Sequence, residues 1–196
     1  LSTGPSFPGT FSWHTTCGHV RKQPYQVTFK AYDDNMAISL VDVMNVRITV
    51  ISPAPEYLTT EPTNKTINLS WNKCICSNAV GYEIYRRISP YGFDPDSCET
   101  GVPAYTEYVK IGETEGLTDT TFIDNNDGEG LNQGTEYCYM VNAFFADGAK
   151  SFASEEVCER LIRGIPIITN VSVENTDVQN GQIYLAWSRP TEIDTQ

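Results

Sequence analysis

The stretch Leu131-Asn-Gln-Gly-Thr-Glu-Tyr137 constrains this chain more than any other. A leucine followed six positions later by a tyrosine, with Gly134 and Thr135 between them, is the pattern of a β-sandwich corner. At such a corner the tyrosine ring covers the core while its hydroxyl ties back to the backbone upstream of the strand. The run that follows, Cys138-Tyr-Met-Val-Asn-Ala143, alternates so that Tyr137, Tyr139, Val141 and Ala143 share one face. That is the period of a strand buried on one side. Leu131 and Tyr137 are therefore read as a tyrosine corner in an all-β sandwich.

Short strand signals separated by turn residues continue on both sides of the corner. Residues 66–72 read as strand B, and Gly81–Arg87 as strand C with Tyr82 and Ile84 inward. Glu107–Gly112 reads as C′, Thr120–Asp124 as E, Tyr137–Phe145 as F and Phe152–Leu161 as G. The stretch 88–106 carries Pro90, Pro95 and Pro103 and reads as a long loop. No segment shows a 3.6-residue period, so helix is expected to be almost absent.

The chain also repeats itself. Ile183-Tyr-Leu-Ala-Trp187 restates the I-x-L-x-W of Ile67-Asn-Leu-Ser-Trp71. Each follows a proline-containing junction, Ser52-Pro-Ala-Pro55 or Arg163-Gly-Ile-Pro166, of the kind that suits linkers. Tandem β-sandwich modules follow, with 53–164 as one whole module. Residues 1–52 would be the C-terminal half of another sandwich, with Gly9–Trp13 as its strand E, Tyr25–Ala31 as F and Asn45–Val50 as G. Residues 165–196 would be the N-terminal part of a third, and the first half of the first module would precede Leu1. Only 53–164 is then expected to fold alone, because each flank holds an unfinished core.

With the corner, the strand order and the tryptophan in place, the middle of the chain resembles a fibronectin type III domain, and residues 1–52 resemble half of a bacterial immunoglobulin-like or cadherin-like domain. The combination of Trp71, Cys76-x-x-Ala79, Gly81–Arg87, Cys98-Glu-Thr-Gly-Val-Pro103, Glu136-Tyr-Cys-Tyr139 and Val157-Cys158 is similar to repeats in large surface proteins of Bacteroidota. Many of those are exported by the type IX system and linked to gliding motility. The resemblance implies a surface or released protein and carries over no catalytic residue.

The formal charge of −12, from 13 basic and 25 acidic residues, argues against a nucleic-acid partner. No apolar run approaches the length of about 20 residues needed to span a bilayer. Six cysteines, an even number, point to disulfides and an oxidising compartment. Zinc fits poorly, since Cys74-Ile-Cys76 is C-x-C and no second pair completes a tetrahedral set. Alternation places Cys138 and Cys158 outward on hairpin neighbours F and G, so those two are expected to pair. Cys98 is expected to anchor the long loop through Cys76, with Cys74 as the near alternative. Cys17 is expected to reach Cys74 across the junction, or else a cysteine upstream of Leu1.

Other candidate sites have a plain reading beside the chemical one. His14 and His19 are not at the i, i+4 helical spacing of a zincin and read as loop residues. Asp124-Asn-Asn-Asp-Gly-Glu129 invites calcium, yet glycine stands where an EF-hand loop needs an oxygen ligand, so a turn explains it better. Asp33-Asp34-Asn35 is likewise favoured as a turn. Asn64, Asn68 and Asn170 match the N-glycan acceptor pattern, which carries no meaning in a bacterial source. The eukaryotic cytokine receptor they would otherwise support is opposed by the absent W-S-x-W-S and by Arg86-Arg87 in strand C. Tyr91 and Phe93 in the long loop are the candidate surface for a protein or glycan ligand. No catalytic residue, metal or cofactor is expected. These expectations describe a non-catalytic extracellular stalk or adhesion segment whose partners are other modules of its own chain. The alternative is an accessory region, spacer or carbohydrate-binding, of a secreted multidomain hydrolase.

Overall fold

The computed structural model describes residues 8–33, 40–94, 98–161 and 167–188. The junction Arg163–Pro166, the segment Leu1–Pro5 and residues Asp34, Asn35 and Pro95 lie outside the described residues. Nearly all regular structure is β. The described helices are short 3-10 turns at Cys17–His19, Ala104–Thr106 and Asn126–Gly128.

Strands β1 (Tyr25–Tyr32) and β2 (Val41–Ile48) form an antiparallel pair, from Tyr25 opposite Ile48 to Tyr32 opposite Val41. Next come β3 (Thr59–Thr63), β4 (Thr66–Ser70), β5 (Ala79–Ile88), β6 (Val109–Glu115), β7 (Thr121–Asp124), β8 (Glu136–Phe145) and β9 (Val157–Arg160). They build two sheets, ordered β3-β4-β7 and β6-β5-β8-β9. A last antiparallel pair joins β10 (Ile167–Asn175) to β11 (Gln182–Ser188).

Alternation explains how the two central sheets close into a sandwich. Ile67 and Leu69 of β4 meet Tyr82 and Ile84 of β5 and Tyr137, Tyr139, Val141 and Ala143 of β8 in one buried cluster, with Trp71 and Leu131. The Trp71 and Tyr82 rings meet edge to face at 5.4 Å between centroids. Gly81 is the point of closest backbone approach in β5, where a Cβ would lie 2.0 Å from the Thr114 carbonyl oxygen. At the corner the Tyr137 hydroxyl accepts the Asn132 N–H at 3.0 Å, and Leu131 is buried beneath it.

Several boundaries differ from the sequence reading. Gly9–Trp13 is not a strand; Trp13 instead packs edge-on against His19 and Tyr25 at 5.1 and 4.7 Å. The first strand of the sandwich, β3, was not legible, because it contains Pro62, opposite Ile67. β3 is an edge strand, where a proline costs no ladder bond. Strand G begins only at Val157, because serine hydroxyls stand in for backbone carbonyls before it. The Val141 N–H donates to Ser154 Oγ and the Ala143 N–H to Ser151 Oγ, each at 2.9 Å. The largest difference concerns the outer face of β8. Cys138 and Met140 point away from the core yet are fully buried, under Tyr85, Tyr108, Ala153, Phe93 and Val102.

Replacing Tyr137 with Phe keeps the ring and removes the acceptor for the Asn132 N–H. We expect a loss of about 1 kcal/mol in urea unfolding, with an unchanged dependence on denaturant concentration. No measurable loss removes the corner bond from the stabilising set.

Candidate functional site

The sandwich presents three features to build a function from: the cysteines, the long loop over the outer face, and the buried charges of the middle sandwich. Cys17 is bonded to Cys76, with Cα atoms 5.2 Å apart. This corrects the expected Cys17–Cys74 and Cys76–Cys98 pairs. Cys74 faces the core instead: its N–H donates to the Tyr82 hydroxyl at 2.8 Å, and its sulfur lies 3.6 Å from Ser52 Oγ. Two residues later Cys76 meets Cys17, whose carbonyl accepts from Asn78 Nδ2 at 3.0 Å. Cys98 is exposed and belongs to neither of these disulfides. Cys138 and Cys158 stand directly opposite in the β8–β9 register and are bonded, with Cα atoms 4.0 Å apart.

A carboxylate, rather than a disulfide, anchors the long loop. Glu156 accepts the Tyr91 N–H at 2.7 Å, the Gly92 N–H at 2.9 Å and the Tyr108 hydroxyl at 2.5 Å. Burial pushes the Glu156 carboxyl up, and these three donors outweigh it, so the group sits below its ordinary value. A second tie is the Gly101 N–H, which donates to the Ser151 carbonyl at 2.7 Å. The expected ligand surface is divided by this folding. Phe93 packs inward on the cluster of Tyr85, Tyr108 and Met140, whereas Tyr91 stays 43% exposed. Its exposed neighbour is Tyr105, 6.4 Å away between centroids, with the Arg87 guanidinium 5.6 Å over the Tyr91 ring. Tyr105 was missed because nothing in the sequence marked the 3-10 turn that turns it toward Tyr91.

Two buried carboxylates complete the arrangement. Glu83 receives Lys150 at 2.7 Å, Lys110 at 3.1 Å, the Tyr85 hydroxyl at 3.0 Å and Asn142 Nδ2 at 3.1 Å. Burial pushes its carboxyl up, but the Lys150, Asn142 and Lys110 hydrogen bonds prevail and hold it at about 2. Asp124 joins the sheets: Arg86 Nη1 donates to both of its oxygens at 2.9 and 3.0 Å, and the Tyr139 hydroxyl to one of them at 2.8 Å. Burial, and then the charge of Asp124, raise the Tyr139 phenol.

These contacts bear on the metal readings. The Asn126 N–H also donates to Asp124, so a cation in the 124–129 turn would have to displace arginine and tyrosine donors. Asn126 and Asp127 adopt left-handed conformations, φ 51° and 55°, as a tight turn needs. The grouping of potential ligands among the described residues is Cys138, Glu156 and Cys158. Its sulfurs are joined to each other and its carboxylate is spent on the loop. His19 Nδ1 accepts the Thr16 N–H at 2.9 Å, a local turn contact.

No family model matches this chain, and no curated protein matches it. Among solved structures it is similar to a fibronectin-III-like protein from Clostridium thermocellum, at 25% identity and a TM-score of 0.37, over 56% of this chain and 92% of that one. It is similar to the first three fibronectin domains of chicken CNTN1, at 14% identity and 0.42, over 72% and 44%. A β-1,2-glucanase from Parabacteroides distasonis is similar at 16% identity and 0.39, over 64% and 16%. The strand order described above, not these likenesses, carries the fold.

Glu83 has a lower pKa folded than unfolded, so its contribution is present at neutral pH and lost as pH falls from about 4.5 to about 2. Glu83→Gln is expected to cost about 3 kcal/mol at pH 7, with the gap from wild type closing toward pH 2. Urea unfolding of both proteins across that range checks it. A pH-independent gap rejects the assignment. Glu156→Gln is expected to leave the sandwich folded and to raise amide hydrogen exchange at Tyr91 and Gly92 by about tenfold or more. Unchanged exchange there means the loop is held by other contacts.

Proposed function

We propose that this chain is a non-catalytic segment of a larger extracellular protein, acting as a stiff stalk of linked β-sandwich modules. The units are 1–52, 53–164 and 165–196. The observation that carries the reading is the Cys17–Cys76 disulfide, which joins the segment ahead of β1 to the sandwich. It is not the only tie. Asn78 holds the Cys17 carbonyl, and the Lys22 N–H donates to Asp147 Oδ2 at 2.8 Å. Cys76 and Asn78 precede β5 and Asp147 follows β8, and the register pairs Ala79 with Phe145. Both attachment points therefore lie at one end of the sandwich, and residues 17–22 span it. A single flexible linker permits relative motion, whereas a segment fixed at two points does not.

Two disulfides suit an oxidising, extracellular setting. The charge of −12 suits a soluble exposed surface and opposes nucleic-acid partners. Partners are the chain's own modules and a protein or glycan ligand, for which Tyr91 and Tyr105 form the exposed aromatic surface. Placement among the type IX-exported surface proteins of Bacteroidota rests on the sequence pattern between Trp71 and Cys158.

Amide relaxation tests the stalk. In the oxidised protein, β1–β2 and the central sandwich are expected to share one rotational correlation time. In the Cys17→Ser, Cys76→Ser double variant, β1–β2 should reorient faster while the amide shifts of β4, β5 and β8 persist. Independent motion of β1–β2 already in the oxidised protein would falsify the stalk reading.

A further inference from the structure

We propose that the groove where residues 21–22 meet the turn after β8 is a binding site for an oxyanion group: a sulfate, phosphate or carboxylate. The groove, of about 340 Å³, is lined by Arg21, Lys22, Val50, Thr100, Gly148 and Lys150 among others. Three cationic side chains thus converge in a chain whose formal charge is −12. Lys150 is committed to Glu83 at 2.7 Å and contributes its field more than a free donor. Arg21 and Lys22 form no close ion pair among the described residues, although the Asp147 carboxylate lies within the field of Lys22.

Arg21 is set up as a donor. Its guanidinium carbon lies 3.4 Å from the centroid of the Tyr25 ring, and that ring is buttressed by Trp13 at 4.7 Å. Stacking of this kind fixes the plane of the guanidinium in advance, so little rotamer freedom is lost on binding. One terminal nitrogen makes a long bond of 3.4 Å to the Pro24 carbonyl. The Nε–H is buried and has no hydrogen-bond acceptor among the described residues. An oxyanion is the acceptor that a guanidinium fork matches best.

Lys22 is placed as firmly. Its own N–H is held by Asp147, and its side chain lies along Gly148, where a Cβ would sit 3.6 Å from the lysine Cδ. Gly148 has φ 82°, so a bulkier residue there would be strained. Asp147 is the nearby carboxylate that opposes an incoming anion, and its oxygens accept the Lys22 and Ala149 N–H groups. Because the chain as a whole repels anions, any saturable anion binding must come from a local arrangement such as this one.

The test is a titration of the full chain with sodium sulfate, followed by amide shifts, against sodium chloride at equal ionic strength. Saturable shifts at Arg21, Lys22 and Gly148 with sulfate alone are expected. Arg21→Gln and Lys22→Gln should each weaken binding by about tenfold or more, with the dispersed amide spectrum retained. Arg21→Lys, which keeps the charge and loses the fork, should weaken it as well. A sulfated oligosaccharide run in parallel separates sources: tighter binding than inorganic sulfate assigns the site to a polymer-borne group, and equal binding to a free ion. Identical shifts with chloride, or sulfate binding unchanged in Arg21→Gln, would overturn the proposal.

Discussion

Strand β8 has no solvent face between Tyr137 and Ala143, and the rest of the middle sandwich is arranged around that fact. One face is sealed by the opposing sheet, as in any sandwich. The other is sealed by the loop 88–106, through Phe93 and Val102 over Cys138 and Met140. Sealing both faces removes water as a partner for every polar group on the strand. Asn142 and its neighbour Glu83 on β5 therefore need partners within the protein, and the loop needs fixed anchors. Glu156 supplies three hydrogen bonds to that end, two of them from consecutive backbone N–H groups.

The buried charges follow from the same enclosure. Lys110 and Lys150 reach Glu83 from β6 and from the turn after β8, so that carboxylate clamps parts of the chain far apart in sequence. Arg86 and Asp124 do the same between the two sheets. Such pairs add little net stability over apolar residues of the same shape. Their value lies in rejecting alternatives. A register slip of one residue in β5 would turn Glu83 into the core and strand both lysines.

The sequence displayed its two-residue periods openly, which is why β4, β5, β8 and β11 were legible, as was the corner at Leu131 and Tyr137. Cys138 and Cys158 could be matched for the same reason, since hairpin register places outward residues opposite each other. Connectivity of the other cysteines was not legible. Cys74 and Cys76 differ only in which way the chain turns after Trp71, and only tertiary packing decides that Cys74 faces Tyr82. The outer face of β8 was misread because alternation shows which residues share a side, not what covers it. The groove at Arg21 left no trace in the sequence, where Arg21 and Lys22 stand as an isolated basic pair.

The serines before β9 carry a consequence for crowding. By taking bonds that backbone carbonyls would otherwise accept, Ser151 and Ser154 let the chain between them leave the regular strand path. The β9 border of the four-stranded sheet is thus reduced to Val157–Arg160, a short edge that carries Glu159 and Arg160 and offers little to template another strand. Identical modules packed densely side by side would otherwise zip together along such borders. At this border a neighbouring module finds only four residues of strand to pair with, so lateral association there is disfavoured by geometry as well as by charge.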